Sequence, residues 1–199
     1  MKKLLLPIFI ISGLLLINTS NIKAQGFGIS AGANFANFND TDASTDARTG
    51  LMAGLTYGVS VPMSPITIQP GVFYVQKGTK ATEGSIETTS KLDYIEIPVV
   101  AKFDFILDNP MLTPHVYFGP YAGFNISAEQ EISGGDNSGT FDIEDQVKST
   151  DFGVVVGAGA DITKFNVGIR YSAGLTEIAE NNAFDGKNGV LSIVAGISF

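Results

Sequence analysis

The chain has 199 residues, and 20 Asp and Glu against 12 Lys and Arg give it a formal net charge of -8. So acidic a chain is a poor nucleic-acid binder, which needs a cationic face for phosphates, and with no Cys it has no disulfide, thiol nucleophile or lipidated cysteine. Its 23 Gly, 14 Phe and 6 Tyr suit thin-walled β structure with aromatic belts better than a secreted soluble enzyme.

Lys2 and Lys3, the apolar run 4–17 and the passage into Ile22-Lys23-Ala24 have the three parts of a secretory signal peptide. The run is about 14 residues, short of the ~20 that a spanning helix needs. Residues 1–24 are therefore expected to be removed, leaving 25–199 as one domain with 9 basic against 20 acidic residues and a formal charge of -11.

From there the pattern has a period of two. Residues 27–38 place Phe27, Ile29, Ala31, Ala33 and Phe35 against Gly28, Ser30, Gly32, Asn34 and Ala36, which predicts a first strand. The polar segment 39–50 reads as a loop. A second strand over 51–61 sets Leu51, Leu55, Tyr57 and Val59 against Met52, Gly54, Thr56 and Gly58, and ends at the turn Pro62-Met63-Ser64-Pro65, since two prolines cannot continue a ladder. The third strand, 66–77, carries Ile66, Ile68, Val72 and Tyr74 on one face and Thr67, Gln69, Gly71, Phe73 and Lys77 on the other, with Pro70 as an irregularity. Polar residues 78–90 read as a connection.

Residues 94–105 split most sharply, Ile95, Ile97, Val99, Ala101, Phe103 and Phe105 against Tyr94, Glu96, Pro98, Val100, Lys102 and Asp104. The turn Asp108-Asn109-Pro110-Met111, a strand over 115–132 and a long Gly-, Asp- and Glu-rich loop over 133–149 follow. Strands over 152–162 and 165–175 flank the two-residue connection Thr163-Lys164. A loop over 177–188 leads to a last strand with Leu191, Ile193, Ala195, Ile197 and Phe199 on one side.

Eight strands are thus predicted, joined alternately by long polar loops and tight turns. Even strand number and this alternation belong to transmembrane barrels, and closure leaves no strand edge for lipid to meet. A soluble lipocalin-like barrel would show the same alternation with the apolar face turned inward, and residue size decides between the two. The less apolar face holds Gly28, Gly32, Gly54, Gly119, Gly153, Gly157, Gly168 and Gly196 among others, and an eight-stranded interior is barely wide enough for side chains. Small and polar residues belong inside; the large aliphatics form a lipid-facing band, with Tyr57, Tyr74 and Tyr171 as girdle residues. The expected fold is an all-β, eight-stranded, antiparallel up-and-down transmembrane barrel.

Several short motifs, Gly32-Ala33-Asn34-Phe35-Ala36, Gln69-Pro70-Gly71-Val72-Phe73-Tyr74, Tyr94-Ile95-Glu96-Ile97-Pro98 and Gly119-Pro120-Tyr121-Ala122-Gly123, resemble the PorT-like outer-membrane β-barrel proteins of Gram-negative bacteria. The resemblance covers essentially the whole chain after the signal segment. It implies location in the outer membrane, contact with its lipid and lipopolysaccharide, and use of the terminal Phe199 as the aromatic signal read by the barrel insertion machinery. Some members take part in protein secretion and gliding. These motifs mark architecture far better than activity.

Inside such a barrel the ionisable residues are Glu96, Lys102, Asp104, Asp161 and Arg170, joined by Gln69, Asn34 and Asn125. Buried charges need partners, so a polar network is expected, acting as a plug or, alternatively, as a gate whose pairs switch. His115, the single histidine, falls at the tight-turn end, badly placed for the rim chemistry of enzymatic barrels, and reads as structural. The acidic loop residues Asp40, Asp42, Asp46, Glu83, Glu87, Asp136, Asp142, Glu144, Asp145, Glu180 and Asp185 have no regular ligand spacing and read as solvated charge. No catalytic residue, cofactor or metal ligand is expected. The expected role is a structural or interaction one through the external loops; the alternatives are a narrow porin-like channel and an accessory part of a secretion system with another envelope protein as partner.

Overall fold

A strand whose alternate residues are large and apolar and whose intervening residues are small or polar has two faces that cannot share a solvent. Eight such strands roll into a closed barrel with the small face inward. The computed structural model describes residues 25–39, 46–108, 111–134, 138–179 and 186–199; the expected signal segment 1–24 lies outside them. The strands are β1 (Gln25–Asn39), β2 (Asp46–Ser60), β3 (Ile66–Glu83), β4 (Ile86–Asp104), β5 (Leu112–Ser133), β6 (Gly139–Asp142), β7 (Thr150–Ile162), β8 (Phe165–Glu177) and β9 (Lys187–Ser198).

Every pairing is antiparallel, and the order β4-β3-β2-β1-β9-β8-β7-β5 closes on itself through a β4–β5 ladder. β6 is not part of the wall. It continues the sheet beyond the loop-side rim, alongside Glu129–Ile132 of β5.

Residue size did decide the faces. Phe118, Leu175 and Ile193 are 70%, 64% and 58% exposed on the outside, whereas Asn34 and Glu96 are wholly buried. The inward glycines have a second use besides saving space. Directly paired across the wall stand Tyr121 with Gly153, Tyr117 with Gly157 and Phe73 with Gly54, and each ring lies over the glycine opposite. A Cβ on Gly157 would come 2.2 Å from Tyr117 Cζ.

Two expected connections are built differently. Residues 78–90 are not a loop: Lys77 through Glu83 pair with Leu92 through Ile86, so β3 and β4 run on as a hairpin whose tip is Gly84-Ser85. The stretch has no apolar face because it stands beyond the apolar band, and without that face its alternation reads as loop. The loop over 133–149 likewise holds β6 and a 3-10 turn, Glu144–Gln146. β2 begins at Asp46, inside the expected loop 39–50, and Pro70 does not break β3 but pairs with Val99. The tight turns lie together at the opposite rim, with Met63 and Thr163 at positive φ (60° and 57°).

Candidate functional site

The lumen is filled at three levels. At mid-height, inward positions of five strands converge: Lys77 on β3, Glu96 on β4, Tyr121 on β5, Asp151 on β7 and Arg170 on β8. Lys77 Nζ stands 3.1 Å from Glu96 Oε2 and 3.0 Å from Asp151 Oδ2, and Arg170 Nη2 donates to Glu96 Oε1. Asp151 also accepts hydrogen bonds from Tyr121 (3.0 Å), Asn188 (3.0 Å) and Thr176 (2.9 Å). The ammonium of Lys77 lies over the rings of Tyr94 and Tyr121, 4.9 and 4.6 Å from their centroids, and the Arg170 guanidinium over Phe73 at 4.9 Å. Two cations face two carboxylates, so the layer is neutral, the condition under which charges tolerate a dry interior. Beside it Asn34 donates to Leu51 O and Gln76 O and accepts from Ser192 Oγ at 2.8 Å.

Nearer the tight turns a second cluster joins Lys102 and Asp104 of β4, His115 of β5 and Asp161 of β7. Lys102 Nζ is 3.1 Å from Asp104 Oδ1 and 2.5 Å from Asp161 Oδ2, and His115 Nδ1 is 3.5 Å from Asp161 Oδ2. Between the two charged layers lies a cavity of about 90 Å³, bordered by Gln69, Lys102, His115, Tyr117, Asp161 and Arg170. Gln69 reaches Thr56 Oγ1 at 3.4 Å.

At the loop end the filling is apolar. Leu92, Tyr94, Ala128, Val147 and Ile178 form a buried cluster with Phe38 and Ile143 packed on it. Val147, Ile143 and Ile178 come from connections outside the wall, tied across the mouth by the Val147–Ala179 bridge and by Lys148 N donating to Ile178 O at 2.8 Å.

The lumen residues named from the sequence divide between levels. Glu96 and Arg170 meet in the middle layer, Lys102, Asp104 and Asp161 meet near the turns, and Gln69 sits beside the cavity between them. Asn125 is separate, donating to the backbone of Asp93 and Ser127 at an irregularity of the β4–β5 ladder. Sequence reasoning left out Lys77 and Asp151, which complete the middle layer. Lys77 stood on the inward face, and its parity was the usable signal; Asp151 fell between the loop read over 133–149 and the strand read over 152–162. Of the acidic loop residues, Asp40, Asp42, Asp136, Glu180 and Asp185 lie outside the described residues, and Glu87 pairs with Lys80 at 2.8 Å.

Residues 20–180 match the family described as Outer membrane protein beta-barrel domain. A comparison with curated proteins finds no match. Among solved structures the chain is similar to Ail, the attachment invasion locus protein of Yersinia pestis, at 15% identity over 89% of this chain and 100% of that one, TM-score 0.48. It is similar to Neisserial surface protein A at 17% identity, 88% and 97% coverage and TM-score 0.49. The outer membrane enzyme PagL is similar at 16% identity, 86% and 98% coverage and TM-score 0.48.

Proposed function

Because the chain belongs to the family of outer-membrane β-barrel domains, we propose that it sits in the outer membrane as a closed, side-chain-filled barrel and acts, without catalysis, through what it presents outside: the projecting β3–β6 sheet and the loops beside it. The observation that carries this reading is the lumen. A neutral ionic layer and an apolar cap stand in series across it, so the barrel is built as a support, and the ordered structure it spends beyond the wall is where a partner can be met. Outer-membrane lipid and lipopolysaccharide are its surroundings, and a second envelope protein is the partner class.

An accessory role beside a secretion system is the alternative that the resemblance to PorT-like proteins raises, since some of those take part in secretion. Deletion of the gene and comparison of secreted proteins tests this: unchanged secretion removes the secretion role. Planar-bilayer recording tests the support reading itself. The wild type is expected to give no conductance steps; steps that disappear in Arg170→Ala would establish the narrow gated channel instead.

A further inference from the structure

The cluster nearest the tight turns has more than an ion pair needs. His115 pairs directly with Asp104 on one side and Gly159 on the other, and Asp161 lies one inward position beyond Gly159. One ligand atom each from Asp104, His115 and Asp161 lies within 4.8 Å of the others. The 3.5 Å between His115 Nδ1 and Asp161 Oδ2 is close to the ~3.4 Å separating two ligands that are each ~2.1 Å from a tetrahedral ion.

A second observation is independent of that spacing. The His115 side chain is only 8% exposed, yet Nδ1, 3.5 Å from Asp161 Oδ2, makes no hydrogen bond, while Asp104 Oδ1 faces the Lys102 ammonium at 3.1 Å. Buried polar atoms of this kind are costly unless something satisfies them. The ring has been given its place at the expense of a side chain, since a Cβ on Gly159 would lie 2.9 Å from His115 Nε2.

One imidazole nitrogen with two carboxylate oxygens suits a borderline ion such as Zn²⁺ or Co²⁺; Ca²⁺ takes oxygen ligands in larger number. The Lys102 ammonium now stands between the two carboxylates. It borders the 90 Å³ cavity, which gives it somewhere to go when a stronger cation arrives. We propose that Asp104, His115 and Asp161 form a divalent transition-metal site at the turn end of the lumen, with Lys102 as the cation that the metal displaces.

The test titrates Co²⁺ and then Zn²⁺ into the full-length barrel refolded in detergent, with the visible d–d absorption of Co²⁺ as the readout. Expected is one Co²⁺ per barrel, displaced by Zn²⁺ and untouched by Ca²⁺. His115→Ala and Asp161→Asn lose the absorption, and Lys102→Met tightens Co²⁺ binding by about tenfold, because a competing charge within ~4 Å is removed. If His115→Ala does not refold, Asp104→Asn and Lys102→Met carry the test between them. The proposal is overturned by absence of the absorption in the wild type, by its persistence in His115→Ala or Asp161→Asn, by its persistence in Asp104→Asn, or by unchanged affinity in Lys102→Met.

Discussion

Lys77 is a residue whose loss the lumen can absorb poorly. Its ammonium is shared between Glu96 and Asp151, all three buried, so Lys77→Met leaves Asp151 without a countercharge and the layer with an unbalanced carboxylate. Removing one member of a buried pair costs ~3–5 kcal/mol, and urea unfolding of the refolded barrel should show a loss of that order. Lys80→Ala breaks the pair with Glu87, whose side chains are 38% and 44% exposed, and should change stability by less than ~1 kcal/mol. Equal effects of the two would remove the middle layer from the account of stability. The lumen residues could be named from parity in the sequence, but not which of them meet. That depends on how strands distant in the chain stand against one another around the wall, and so Lys77 and Asp151, 74 positions apart, were joined only by the fold.

At the scale of the strand pair, the ring-over-glycine contacts make a direct claim. Gly157→Val pushes against Tyr117, and overpacking of this kind costs ~1–3 kcal/mol. The double variant Gly157→Val with Tyr117→Ala should recover part of that loss in the same unfolding experiment, whereas additive effects would show that the ring does not need the glycine. Beyond the apolar band, the β4–β5 extension is held by cross-strand pairs such as Lys91 with Glu131. The Lys91 ammonium holds the Glu131 carboxyl below its ordinary range, first by hydrogen bonding and then by charge. A group lowered in this way contributes stability above its unfolded value and loses the contribution as pH falls through its folded one. Lys91→Ala should return Glu131 to an ordinary carboxylate titration by NMR. Strands within the apolar band were legible because lipid outside and a narrow lumen inside select opposite residue sizes at alternate positions. The extension was not, because Thr79, Lys80, Thr82, Glu87 and Thr89 meet no such contrast and resemble turn composition.

For the whole molecule, closure predicts behaviour in detergent. A closed barrel resists SDS until heated, so the refolded chain should migrate differently unboiled and boiled; identical mobility, with solubility in plain buffer, would mean that the apolar wall does not face lipid. The wall also has one seam unlike its other joints. Every other ladder of the barrel links strands that follow one another around the wall in chain order, but β1 and β9 meet at Gly28 with Ser198, nearly the full length of the chain apart. Hairpins form within microseconds, and contacts between distant segments form slowly because the loop entropy comes due before the contacts return anything. Until that seam zips, β1 and β9 each present a row of bare peptide groups that hydrocarbon cannot solvate. The seam is therefore the joint expected to close last: hairpins can gather quickly, but the two end strands keep an edge that needs water or a chaperone until they find each other.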